Sequence, residues 1–372
     1  MDHQRSGTTG QLSIDLGAVA ANFQRLDQQT PRAEVAAVVK ADAYGLGLTQ
    51  IAPALSAAGC RTFYVAEVGE AAALRTVLDS AEPDQRPSAV ICVLAGAQAG
   101  TVDDLLAANA VPVLLDPGQL QRWSAASDTE PLPCALHLDT GMARTGFDQR
   151  GIEWLREQPA ELAGVSITTV LSHLACADEP EHEINRQQLE RFFSLRQHFP
   201  LGNASLANSA GIALGVDYHA DQVRPGLGLY GVEPTPTRPL GVMPVVTLRA
   251  PVVQVRTVDA GDTVGYGASH QMAQAGQLAV LGVGYGDGVP RSLSNSGEVS
   301  ISGQRAPIVG RVSMDLTVVD ISRLPAGSVQ PGDSAELFGG EVNLNDVADA
   351  AGTIAYELLT NLGRRYQRIY HS

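Results

Sequence analysis

Positive charge is scarce in this sequence: 25 Lys and Arg residues stand against 40 Asp and Glu, a formal net charge of -15 over 372 residues. No Lys/Arg run could neutralise several phosphates of a duplex, so nucleic acid is not an expected partner. The densest basic stretch, "RRYQR" near the C-terminus, reads as a solvated face or an interface. Cysteine is equally sparse. Cys60, Cys92, Cys134 and Cys176 are far apart and form no CxxC pair, which excludes a disulfide-stapled secreted framework and suggests reduced thiols in a cytoplasmic protein. No stretch approaches the ~18 to 20 apolar residues of a membrane span, and "MDHQRSGTTG" has no apolar core of a signal peptide. No HxH pair follows a first strand, so a metal is not expected.

What the chain does have is a period. From Leu12 to about residue 240, short β-branched runs alternate with Ala/Leu/Glu-rich amphipathic stretches: "EVAAVV", "TFYVA", "AVICVL", "VPVLL", "CALHLD", "ITTVLS", "ASLAN" and "QVRPGLGLY". Eight such units, with no Gly-rich dinucleotide fingerprint after the first, predict an α/β fold whose N-terminal domain, residues 11–240, is a (β/α)8 TIM barrel. After the Pro-rich hinge "PTPTRPLGVMP" the grammar changes to strand after strand with Gly turns. Residues 245–372 are therefore expected to form a mostly β domain, with residues 11–15 as candidates to pair with it and one helix around "NDVADAAGTIAYELLTNLG".

In such a barrel, catalytic groups stand at the C-terminal ends of the strands. The polar residues that end the apolar runs are Lys40, Asp139, His173, Asn208, Ser209 and Arg224. Any one could be a cap or a solvated loop group; convergence from five strands on one rim is the stronger signal. Burial lowers a lysine pKa and makes the amine a nucleophile able to form a Schiff base. "NSAG" after the seventh run, and Gly226 and Gly228 after the eighth, fit the usual phosphate site of barrels, while a plain N-cap is compatible with the same residues. A phosphorylated aldehyde on a lysine points to pyridoxal 5'-phosphate.

These motifs, in order, resemble the bacterial alanine racemase family from about residue 11 to the C-terminus. "VVKADAYGLG" is similar to its cofactor-lysine signature, which implies Lys40 as Schiff-base lysine and catalytic base, with Tyr44 on the phosphate. "HLDTGMARTGF" is similar to the family's "DTGMGRxGF" and implies Arg144 at the substrate carboxylate. "LSHLACADEP" implies His173 on the pyridine ring; "LANSAG" and "VRPGLGLYG" imply Asn208, Ser209, Arg224 and Gly226 around ring and phosphate. "TVGYGASH" implies Tyr266 as the second base, "GYGDGVPR" implies Tyr285 as an entrance gate, "GRVSMDLTVVD" implies Met314 beside the substrate, and "AYELL" implies Tyr356 as a further phosphate contact.

The resemblance thus implies two-base racemisation of L- and D-alanine supplying peptidoglycan, by a homodimer whose active sites are shared between subunits. A racemase of another small amino acid such as serine, or a non-catalytic barrel that carries the cofactor, is the alternative. One departure stands out. His137 occupies the position where the family usually has a lysine, often carbamylated, and a histidine is not expected to carry that anion.

Overall fold

The structure, a computed structural model, describes residues 10–81, 89–199 and 202–372. It divides into two compact units, one of residues Val19–Met243 and one that joins the N-terminal segment through Ala18 to Pro244–Ser372.

Val19–Met243 is the expected parallel barrel. Strands Thr62–Val65, Val90–Val93, Ala110–Leu114, Leu132–His137, Val165–Leu171, Asn203–Asn208 and Gln222–Arg224 follow one another around the wall. The first run, "EVAAVV", is two short strands rather than one. Glu34–Val35 pairs with Gln222–Arg224 while Ala37–Val38 pairs with Thr62–Val65, so a single segment closes the ring by changing partners at Ala36. Nine strands therefore fill eight wall positions. The "QVRPGLGLY" run keeps strand geometry only through Arg224; Leu227–Tyr230 turns into a 3-10 helix.

The outer helices form where the apolar period says they should. Leu48–Ala58 buries Leu48, Ile51, Ala52, Leu55 and Ser56, the spacing of one helical face, and stops at Gly59 with φ 116. Pro117–Ser124 begins on Asp116, whose carboxylate accepts from Gln119 N, with Pro117 at the first helical position where no donor is lost. Cys60, Cys92 and Cys134 are buried in this unit, and burial pushes each thiol up to about 12, so they serve as small apolar fillers.

The other unit is mostly β. Its spine is the 13-residue strand Val246–Val258, which pairs with Gln11–Asp15 and Ser334–Phe338 through its first half and with Gly276–Leu281 through its second. Gln11–Asp15 is also paired in parallel with Gln367–His371, so the strand before the barrel and the last strand of the chain lie side by side. Ser302 and Gly303, both at positive φ, make the tight turn of the hairpin Glu298–Ile301 with Gln304–Pro307. The single helix expected near residues 345–363 is instead two, Leu344–Ala351 and Ala355–Thr360. Gly352, at φ 68, takes the left-handed conformation that terminates a helix, and Ile354 is extended.

Candidate active site

The Lys40 run does not simply end at the lysine. Ala41, Asp42, Ala43 and Tyr44 have φ of 53, 56, 53 and 56, four consecutive non-glycine residues in the left-handed region. Each such residue costs about 1 kcal/mol or more, so the turn persists only because its surroundings hold it. Glu70 is the main splint: one carboxylate oxygen accepts from Ala41 N at 2.6 Å, the other from Ala66 N at 2.7 Å and Glu67 N at 3.3 Å. Asp42 Oδ1 accepts from Leu48 N at 2.7 Å and fixes the far end. The result is a lysine and a tyrosine carried on one rigid corner.

Tyr44 leads directly to the eighth strand end. Its ring lies 4.7 Å from that of Tyr230, and its hydroxyl is so close to Gly226 that a Cβ there would sit 2.2 Å from the oxygen. Ser209 Oγ accepts from both Gly226 N and Gly228 N at 3.1 Å. Asn208 caps the short helix Ser209–Leu214 by accepting from Gly211 N at 2.8 Å. Two hydroxyls and glycine backbone thus converge in a cradle with no room for another side chain. This donor set suits a phosphate-bearing group such as the expected cofactor.

Cations surround this corner. Arg224 is 5% exposed; Nη1 donates to Ser205 Oγ, and Nη2 donates to the carbonyl oxygens of Ser172 and Leu206. Its guanidinium also lies 5.9 Å from the centre of the buried Tyr64 ring. Burial lowers the Lys40 pKa, Arg144 lowers it further, and Glu70 opposes. His173 is pulled down to about 3 by burial and then by Arg224, Arg144, His137 and Lys40. His137, buried on the fifth strand, is pulled down to about 4 by burial, Arg224 and Arg144, against Asp139. Both imidazoles are therefore neutral at pH 7. His137 makes one long contact, 3.5 Å from Nδ1 to Thr145 Oγ1.

Arg144 follows a loop built by Asp139, whose Oδ1 accepts from Gly141, Met142 and Ala143 N at 2.9, 3.0 and 3.2 Å. Burial pushes that carboxyl up, but the three backbone donors outweigh it and leave Asp139 below its usual range. Ala143, at φ 55, occupies the left-handed position that the motif "DTGMGRxGF" gives to glycine.

Lys40, Tyr44, Arg144, His173, Asn208, Ser209, Arg224 and Gly226 thus all lie in the barrel unit. Tyr266, Tyr285, Met314 and Tyr356 lie in the β-rich unit. There Tyr266 stands in a short turn flanked by Gly265 and Gly267 at φ 70 and 71, and the residue is 72% exposed. Tyr285 and Met314 are also largely exposed, and Tyr356 sits on helix Ala355–Thr360.

Comparison with known proteins agrees across the whole length. The family model described as alanine racemase, N-terminal domain, matches residues 14–234, and that of the alanine racemase C-terminal domain matches residues 245–370. The chain belongs to the alanine racemase family.

It is 45% identical to the catabolic alanine racemase of Agrobacterium fabrum over 98% of this chain and 92% of that one. It is 42% identical to the biosynthetic enzyme of the same organism over 96% and 93%. Among solved structures, alanine racemase from Bartonella henselae, with covalently bound pyridoxal phosphate, superposes with a TM-score of 0.91 at 38% identity, covering 98% of this chain and 99% of that one. The biosynthetic alanine racemase of Pseudomonas aeruginosa gives 0.90 at 34%, over 98% and 99%.

Glu70 carries no strand-end signal in the sequence, because it lies on the helix Val68–Ala81 and acts on a residue 29 positions earlier. Another signal was open to simple counting: Lys40 is the only lysine in the chain.

Proposed function

We propose that this protein interconverts L- and D-alanine with pyridoxal 5'-phosphate held at Lys40, and that the D-alanine supplies peptidoglycan in the cytoplasm. The observation that carries the reading is the corner itself: the sole lysine, its amine shifted toward the neutral form, on a rigid turn whose tyrosine meets Ser209 and Gly226 in a cradle of hydroxyls and glycine backbone. When bound, the cofactor supplies an electron sink that acidifies the α-carbon of an amino acid.

The residues then divide the work. Tyr44, Ser209 and the Gly226 backbone hold the phosphate, with Tyr356 as a further contact, and Asn208 fixes the helix start that presents Ser209. His173, neutral, offers an apolar ring face to the cofactor. Arg224 is permanently protonated and can only donate, so it leaves a ring nitrogen facing it without a proton and moderates the sink. Arg144 binds the substrate carboxylate, and Tyr285 and Met314 restrict the entrance to small side chains.

Inversion requires a proton to leave one face of Cα and arrive on the other, which two bases do better than one. Lys40 Nζ serves the D-substrate face and the Tyr266 hydroxyl serves the L-substrate face. Tyr266 is contributed by a second copy of the chain, which makes the homodimer the active form. No helix of the described residues is long and apolar enough to cross a membrane.

The test is direct because the chain has one lysine. Borohydride treatment of the yellow holoprotein should fix the cofactor on a single peptide containing Lys40, and L-alanine in deuterated water should yield α-deuterated D-alanine. Lys40→Ala should lower the rate by about 100- to 10,000-fold. Racemisation surviving in that variant, or a preference for L-serine over L-alanine, would overturn the assignment.

A further inference from the structure

We propose that Arg365, in the "RRYQR" stretch, is a positioning residue for substrate selection: its guanidinium ties the segment carrying Tyr285 to the segment carrying Met314. The inference rests on the reading above that those two side chains stand at the substrate entrance, and it names what sets the spacing between them.

Arg365 Nε donates to Asp287 Oδ1 at 2.7 Å, and Nη1 donates to Asp315 Oδ1, also at 2.7 Å. These short, charge-assisted bonds reach two carboxylates on two different segments. Asp287 closes the 3-10 turn Tyr285–Asp287, and Asp315 directly follows Met314. Asp287 is 6% exposed and its second oxygen accepts from Gly284 N at 3.0 Å, so one carboxylate both staples the Tyr285 turn from within and receives the arginine from without.

The two segments are laid together so closely that small displacements matter. Tyr285 N donates to Ser313 O at 2.9 Å and Gly286 N donates to Met314 O at 2.8 Å. A Cβ at Gly284 would meet Ser313 O at 2.2 Å. At Gly286 a Cβ would meet Arg365 Nη2 at 2.7 Å and Met314 O at 3.0 Å, so the guanidinium plane lies against the backbone of the turn. Tyr285 and Met314 nevertheless remain 43% and 54% exposed. Their backbones are fixed while their side chains project, the arrangement a size filter requires. A solvated basic face, one of the two readings the sequence offered for this stretch beside an interface, has no need of a fork spanning two carboxylates. A lysine, as a point charge on a flexible stem, could satisfy one of them but not hold both in register.

The test uses holoenzyme variants Arg365→Lys, Arg365→Met and Asp315→Asn, with kcat and KM measured for L-alanine and L-serine and a thermal melt for each. Arg365→Lys should raise KM for L-alanine and narrow the L-alanine over L-serine preference in kcat/KM by about 3- to 10-fold, with kcat changing less. Arg365→Met leaves Asp287 a buried, unpaired carboxylate and risks misfolding. Asp315→Asn removes the charge from only the exposed arm and weakens it, so it should narrow the preference with the melt unchanged, and adding it to an Arg365 variant that folds should bring no further narrowing. Lowered melting temperature or kcat with an unchanged substrate ratio would make Arg365 merely structural and overturn the proposal. Tyr285→Ala separates the two ways of failing. If it alters the ratio and the Arg365 and Asp315 variants do not, the clamp is wrong and the gate stands; if none alters it, the gate reading fails and takes the clamp with it.

Discussion

Arg224 at the barrel rim is 5% exposed and His137 beside it 8%, whereas Tyr266 in the β-rich unit is 72% exposed and Met314 54%. The backbones contrast as well. The barrel unit places Ala41, Asp42, Ala43, Tyr44 and Ala143 at positive φ, while the turns around Tyr266 and Tyr285 give that geometry mostly to glycine, at Gly265, Gly267 and Gly288, with Ala268 the exception. One region concentrates strain in four consecutive non-glycine residues and desolvates its charges, and the other gives most such positions beside Tyr266 and Tyr285 to glycine and leaves its large side chains uncovered. Proton transfer needs perturbed pKa values, and those require enclosure and fixed neighbours. Selecting a substrate by size needs only a rigid backbone under projecting side chains. The proposed roles of Lys40, Tyr285 and Met314 follow this difference. That of Tyr266 does not, since it is proposed as a base yet is uncovered, and on that reading its enclosure has to come from the second copy of the chain.

The sharpest way to break the comparison is to overfill the enclosed region. Gly226→Ala would drive a methyl group into the Tyr44 hydroxyl, and cofactor affinity, measured by fluorescence titration of the apoprotein, should fall by about 10- to 100-fold. Wild-type affinity would mean that the cradle has slack.

Acid sensitivity comes next. His173 and His137 hold folded values of about 3 and about 4 against an ordinary 6.5. Below that value the unfolded chain takes up protons that the folded chain refuses, so stability is complete above about pH 6.5 and is lost as pH falls to about 4 for His137 and about 3 for His173. The loss attributable to buried His137 is on the order of 2–3 kcal/mol. Urea midpoints of the apoprotein across that range should show it, and His137→Asn should flatten the slope; an unchanged slope would mean that His137 is not held neutral.

Removing the splint tests whether strain at the corner is externally held. Glu70→Ala deletes acceptors for Ala41, Ala66 and Glu67 N and should cost about 2 kcal/mol in urea unfolding, with Glu70→Gln recovering part. The smallest expected effect is Ala143→Gly. Relief of the left-handed alanine is nearly offset by the greater freedom of an unfolded glycine, so stability should rise by no more than about 0.5 kcal/mol. A larger gain would mean that Asp139 grips this loop less firmly than its three bonds suggest.

Much of the fold was legible because its signals are short-range. Alternating apolar runs and amphipathic stretches announce strands and helices within a few residues of each other, and Asp116 or Gly59 marks a helix end by local chemistry alone. The same holds for Gly352, which ends a helix by local chemistry although it lies inside a strongly helical window. The division of "EVAAVV" was not legible, since nothing in those six residues says that their two ends pair with different strands.

By itself, then, the sequence determined the βα period, the change to strands after residue 244, the sole lysine and the ordered motifs that place the chain in its family. Tertiary structure decided which charges meet and which are buried: Glu70 with the backbone 29 residues earlier, Arg365 with carboxylates 78 and 50 residues away, and two histidines held neutral by burial first and two nearby arginines second. The reason is physical. Local propensity is carried by neighbours along the chain, whereas desolvation and Coulomb interaction depend on distance and burial in space, which do not exist until the chain has folded.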